Sequence, residues 1–256
     1  MQPFWLTKRV RQVQPYEKLA GIYDYIMRHV DYGHWANYVM DLIRRWHPHA
    51  VSILDVACGS GNLLQMLNKE QFRVGGCDCS FAMTQQAKLK KSLQGVPIWC
   101  GDMIKLAVKS PVDVLLCLYD NVNYLMDLAS INQFFCSAAA TLAPQGLLIF
   151  DICTERNSIE FFSNYYDHEK QPLFSYFRWS HYARKSRIQY TEFKIKFKSD
   201  PMLYWEIHQQ KIYPVDPILQ VIQASPLRLL EQYDGFTFQR PGAKTNRIHL
   251  VLARKD

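Results

Sequence analysis

Over residues 51–153, short apolar runs alternate with segments whose apolar positions recur every three or four residues. Val51, Ile53, Leu54 and Val56 form a run with one charge near its end, as a strand buried on both faces does. Leu63, Leu64 and Leu67 follow at helical spacing. The alternation continues with strands over Phe72–Cys77, Val96–Cys100, Val112–Leu118 and Gly146–Ile152, and helices over Phe81–Leu93 and Ser130–Leu142. Strands separated by helices imply right-handed crossovers and a parallel sheet covered on both faces.

The flanks read differently. Tyr16–Arg28 and His34–Trp46 carry apolar residues at helical spacing, and Pro48 stops the second helix. From Phe174 to Ile212 the period changes to two. Phe193, Ile195 and Phe197 alternate with Lys194, Lys196 and Lys198, which predicts three antiparallel strands turning at Arg184–Arg187 and Ser199–Pro201. On the third strand Tyr204, Glu206, His208 and Gln210 share one face, either solvated or functional. A short helix over Leu219–Ile222 precedes strands Leu227–Tyr233 and Ile248–Ala253. Asp234-Gly235 and Pro241-Gly242 mark turns in a connection too short for a crossover helix, so this pair is a hairpin. The expected organisation is N-terminal helices (1–50), a core (51–153 and 214–256) and an antiparallel β insert (154–213). The fold class is α/β: a doubly wound, seven-stranded, mostly parallel sheet with a reversed last strand.

A chain of 256 residues, 48% hydrophobic and 21% charged, can bury a substantial core. No apolar run approaches the ~20 residues needed to span a bilayer. Met1–Gln14 lacks the apolar stretch of a signal peptide, so a cytoplasmic location is the expectation. Most of the seven cysteines sit in or beside apolar stretches. Cys77/Cys79 and His47/His49 lack further ligands at metal-site spacing, and no metal is expected. The net charge of +7 is spread out, with small clusters at Lys8–Arg11 and Lys88–Lys91. A solvated basic surface is favoured over nucleic-acid binding.

The stretch from Ile53 to Leu64, I-L-D-V-A-C-G-S-G-N-L-L, joins the first core strand to its helix. Gly59 and Gly61 allow a tight turn and close approach of backbone to a ligand. The following helix directs its N-terminal N–H groups to the same place. A dinucleotide fingerprint would need a third glycine where Leu64 stands. Asp55, Ala57, Gly59 and Gly61 at every second position instead resemble the first motif of the class I S-adenosylmethionine-dependent methyltransferases, with Ala57 where that family often has a glycine. Polar strand ends strengthen the resemblance. Asp78, in D-C-S-F-A-M, suits ribose hydroxyls, although nicotinamide enzymes use the same device and Asp78 or Ser80 could cap a helix. Asp102, in C-G-D-M, suits an adenine amino group, with Met103 against the ring. Leu118-Tyr119-Asp120-Asn121 ends the fourth strand, which in that family lines the methyl-transfer site.

The resemblance covers 53–152 and 227–253 closely, and the flanks more loosely. It implies a Rossmann-like fold, N-terminal helices that lid the cofactor, and S-adenosyl-L-methionine as that cofactor. The implied contacts are Tyr23, Trp35, Asp55, Ala57, Cys58, Gly59, Gly61, Asp78, Cys79, Met83, Asp102, Met103, Leu118 and Tyr119, with Tyr32 a further candidate. The insert resembles that of small-molecule N-methyltransferases, including those acting on glycine and amino sugars. Methyl transfer is an in-line displacement, in which positioning can supply about 7–11 kcal/mol. His208, with Glu206 on the same strand face, is the best candidate to orient or deprotonate an acceptor. Tyr119 and Asp120 are the candidates from the sheet side. The expected partner is a small-molecule acceptor methylated at nitrogen, in a monomer or a homodimer formed through the insert. A cofactor-binding scaffold without turnover, an RNA methyltransferase and an oxidoreductase are the competing readings.

Overall fold

The computed structural model describes residues 9–70 and 72–255. The reading of Met1–Gln14 falls partly on residues 1–8, outside that range, as does Lys8 of the first basic cluster. The chain enters through strand β1 (Val10–Gln12), a short helix α1 (Tyr23–Ile26) and a longer α2 (Tyr32–Trp46). The core then runs β2 (Ser52–Val56), α3 (Asn62–Leu67), β3 (Arg73–Asp78), α4 (Phe81–Leu89), β4 (Ile98–Cys100), β5 (Val112–Cys117), α5 (Leu128–Thr141) and β6 (Leu142–Cys153). Helix α6 (Glu155–Phe161) leads into β7 (Tyr165–Lys170), β8 (Phe174–Ala183), β9 (Ile188–Phe197) and β10 (Leu203–Lys211). Helix α7 (Val215–Ala224), β11 (Leu227–Asp234) and β12 (Arg247–Arg254) complete the chain.

Seven strands form the main sheet in the order β11-β12-β6-β5-β2-β3-β4. Strands β2 to β6 pair in parallel, while β12 runs antiparallel to both β6 and β11. The expected α/β architecture, reversed strand included, is therefore present. Its cause is visible in alternate residues. Ile53, Val114, Leu116 and Ile149 pack with α2 and α3 on one face of the sheet. Their neighbours Leu54, Leu115, Cys117 and Phe150 pack with α5 and α7 on the other. Each fully buried side chain of this size stabilises the fold by about 1.5–3 kcal/mol. Side-chain caps start the helices: Asp31 for α2, Ser80 for α4, Asp127 for α5 and Thr154 for α6. Among the described residues no helix is long and apolar enough to cross a membrane.

The insert is larger than the three strands expected. It is a five-stranded sheet in the order β1-β10-β9-β8-β7, antiparallel except for β1, which pairs in parallel with β10. Strand β7 was hidden because Y-Y-D-H-E-K has no apolar alternation, and β1 because three residues carry no period. The helix expected over Tyr16–Arg28 is also revised. That segment splits into a 3-10 turn at Leu19–Ile22, α1, and a second turn at Met27–His29. Tertiary contacts explain the split. Leu19, Ile22 and Ile26 are buried against Tyr176, Phe193, Ile195 and Tyr204 of the insert. Their backbone follows that sheet rather than a helix axis.

Candidate functional site

A cavity of about 460 Å³ lies where the C-terminal ends of β2, β3 and β5 meet the N-terminal segment and the inner face of the insert. The sheet side carries unusual backbone. Ala57, Tyr119 and Asp120 have positive φ values of 58°, 68° and 50°, and Tyr16, facing them, has 62°. All four line the cavity. Such conformations cost of order 1–3 kcal/mol each and persist at functional sites, where the surroundings impose them.

Asp55 and Asp78 stand side by side at one end. Asp78 accepts the backbone N–H of Gly59 at 2.9 Å and that of Ser80 at 2.8 Å, which fastens the glycine turn to β3. Asp55 is buried and lines the cavity, and its carboxyl has no hydrogen-bond partner among the described residues. Burial, and then the neighbouring Asp78 charge, push its carboxyl up to about 8. The two glycines of the turn differ. Gly59 (φ 57°) lines the cavity, whereas a Cβ on Gly61 (φ 77°) would lie 2.6 Å from Leu93 Cδ1. Close packing against the α4 region therefore requires glycine at 61. Asp24 ties α1 to this turn, accepting from Ser60 Oγ at 2.5 Å and Asn62 Nδ2 at 2.9 Å, and pairing with Lys90 at 2.9 Å.

Tyr23, Trp35, Cys58, Met83 and Leu118 line the cavity too. Trp35 stacks on Tyr119 with ring centroids 4.4 Å apart. Beneath this stack Arg247 pairs with Asp120 at 2.7 Å and with Asp151. Burial raises both carboxyls and Arg247 opposes the rise; burial works against the Arg247 charge, but neighbouring Cys153, Asp151 and Asp120 outweigh it and raise its pKa. Asp120 is thus engaged by an arginine.

The insert supplies the opposite wall in register. Ser180, Thr191 and His208 lie in one cross-strand row, and Arg178, Phe193 and Glu206 in the next. The face of Tyr204, Glu206 and His208 is buried rather than solvated. Glu206 does not line the cavity. Its carboxylate accepts the backbone N–H groups of Tyr16, Lys18 and Leu19 at 2.7, 2.6 and 2.8 Å, and contacts His208 Nε2 at 3.2 Å. A carboxylate only accepts, so Nε2 carries the hydrogen and Nδ1 takes the Tyr124 hydroxyl at 3.1 Å. The Tyr124 oxygen then receives the Tyr16 hydroxyl at 2.7 Å. A directed chain thus runs from Tyr16 through Tyr124 to His208 and Glu206.

Gly61, Cys79, Asp102 and Met103 stand outside the cavity lining. Asp102 caps a 3-10 turn by accepting from Ile104 N at 3.0 Å, Met103 packs at the edge of the α5 side of the core, and Cys79 is exposed. Tyr16, Arg178, Gln189, Thr191 and Arg247 line the cavity without having been singled out. The sequence held one signal for Arg178: a cation two residues from Tyr176 and Ser180, hence on their buried face.

A methyltransferase-domain family model matches residues 53–146. A putative methyltransferase of Geobacillus sp. (strain WCH70) is 30% identical over 247 residues, covering 93% of this chain and 99% of that one. The dTDP-4-amino-2,3,4,6-tetradeoxy-D-glucose N,N-dimethyltransferase of Saccharopolyspora spinosa is 34% identical over 134 residues, 52% of this chain and 53% of its own. Among solved structures, an S-adenosylmethionine-dependent methyltransferase from Clostridium acetobutylicum superposes with a TM-score of 0.78 at 23% identity, over 94% of this chain and 99% of that one.

Proposed function

Because this chain belongs to the class I S-adenosylmethionine-dependent methyltransferases, we propose that it methylates a nitrogen of a small molecule held between the main sheet and the insert. The enzyme class and the cofactor, S-adenosylmethionine, are the premise; the acceptor and the residue roles are the proposal. When bound, the cofactor supplies a methyl group already activated by a sulfonium. The cavity fits it. Asp55 offers an unpartnered carboxyl for an ammonium group, Asp78 keeps lone pairs for ribose hydroxyls, and Gly59 lets the backbone approach closely. Trp35 and Tyr119 provide the apolar wall.

The observation that supports an amine acceptor is the hydroxyl chain. An amine attacks when neutral and sheds a proton as it is methylated. Tyr16 and Tyr124 are part-buried phenols whose pKa values desolvation raises, so neither is a base by itself. Each passes a hydrogen onward, and His208 is the group that receives the proton, with Glu206 beside it to stabilise the imidazolium. The amino-sugar methyltransferase similarity over half the chain supports the same reading.

The test is transfer of labelled methyl groups from S-adenosylmethionine to a pool of amine metabolites. Turnover is expected with the wild-type chain. His208→Ala and Tyr124→Phe are each expected to lower it at least tenfold while leaving S-adenosylhomocysteine affinity unchanged. Full activity in both variants would remove the relay, and label entering only RNA would remove the small-molecule acceptor.

A further inference from the structure

Two arginines line the cavity, and they are in opposite situations. Arg247 is matched by Asp120 and Asp151. Arg178, on β8, has no ion pair or side-chain hydrogen bond among the described residues, and its Nε is buried without a partner. The carboxylates nearest in register are both engaged. Asp167, opposite Arg178 on β7, accepts the Tyr176 hydroxyl at 2.8 Å. Glu206, in the same cross-strand row beyond Phe193, holds the backbone of residues 16–19.

Aromatic rings hold this cation in place. The guanidinium carbon lies 5.0 Å from the Tyr165 ring centroid, 5.7 Å from Phe193 and 5.8 Å from Phe162. Ring contacts supply no hydrogen-bond acceptor for the Nε–H, and a guanidinium with its N–H groups unpaired can take a carboxylate or phosphate in bidentate fashion. A buried N–H left without an acceptor costs about 1–3 kcal/mol, so the site is incomplete as the chain alone builds it.

We propose that the methyl acceptor carries an anionic group, a carboxylate or a phosphate, and that Arg178 binds it. This rests on the cavity being the methyl-transfer site. The anion then sits against the insert, with the amine directed across the cavity toward Tyr16 and the sheet. The buried Phe193 ring shields one side of the ion pair from water and strengthens it.

The 256-residue chain, saturated with S-adenosylhomocysteine, is titrated calorimetrically with acetate and with inorganic phosphate, using methylammonium as a cationic control. Saturable binding of one anion is expected, weakened at least tenfold in Arg178→Met and less in Arg178→Lys, with S-adenosylhomocysteine affinity equal in all three proteins. The anion that binds more tightly distinguishes a carboxylate acceptor from a phosphate. Equal anion affinity in wild type and Arg178→Met would overturn the proposal. So would a wild-type chain that binds S-adenosylhomocysteine but neither anion. Failure to bind S-adenosylhomocysteine would overturn the reading of the cavity itself, and this proposal with it.

Discussion

The carboxylate of Glu206 accepts the backbone N–H of Tyr16 at 2.7 Å across 190 residues of chain. With Lys18 and Leu19 on the same carboxylate, a single side chain of the insert fixes the segment that closes one wall of the cavity. Hydrogen bonds to a charged acceptor contribute about 1.5–3 kcal/mol each. Glu206→Gln keeps the shape and loses the charge, so residues 14–22 are expected to exchange amide hydrogens and yield to protease at least tenfold faster. Hydrogen exchange resolved by peptide measures this, and unchanged protection over residues 16–19 would refute it.

The glycines of the turn should separate fold from ligand. In Gly61→Ala the new Cβ meets Leu93, and overpacking of this kind costs about 1–3 kcal/mol, so thermal stability is expected to fall. In Gly59→Val the side chain is forced into left-handed backbone facing the cavity, and cofactor affinity is expected to fall more than stability. Melting curves with and without S-adenosylhomocysteine distinguish the two.

Asp55 sets a pH dependence. With its carboxyl pushed up to about 8 in the ligand-free protein, the folded state holds a proton that the unfolded chain has already lost. Without ligand, this group therefore lowers stability as pH rises from about 4 to about 8. An ammonium group bound against Asp55 favours the ionised form, so binding releases a proton. Affinity for S-adenosylhomocysteine is expected to increase from about pH 6 to about pH 8, with Asp55→Asn weaker and flatter over that range. Calorimetry in buffers of different ionisation enthalpy counts the proton directly.

Arg247 matches the charges of the buried Asp151 and the part-buried Asp120. Arg247→Met leaves both unmatched, and breaking a buried pair in this way costs about 3–5 kcal/mol. Adding Asp151→Asn removes one of the stranded charges and is expected to recover part of that loss. Denaturant unfolding of the single and double variants measures the difference.

The main sheet was legible because its strands are buried on both faces. Ile53 and Leu54 point to opposite layers, yet both are apolar, and no surface pattern competes with that signal. The lysines of β9 gave a correct strand for a different reason, alternation with Phe193, Ile195 and Phe197. Its Lys196 nevertheless bends its ammonium to the carbonyls of Asp200 and Met202. Tyr16–Arg28 misled because Leu19, Ile22 and Ile26 are buried at helical spacing against a β-sheet, and periodicity does not name the partner. Arg178 and Arg247 were overlooked because an isolated arginine reads as surface. Only the register of β8 with β9, and of β12 with β6, brings them inside.

Among the described residues strand β1 has no neighbour until β10 exists, since Val10, Arg11 and Gln12 pair there with Leu203, Tyr204 and Trp205. During synthesis from the N-terminus, β1 therefore waits for about four-fifths of the chain to be made. The central strands can pair much earlier, because β2, β3 and β5 are near one another in sequence. Such long-range pairing is slow to form. A nascent or truncated chain can thus possess the glycine turn and still have no enclosed chamber. The enclosed chamber arrives only with the later strands, as a property of the folded whole.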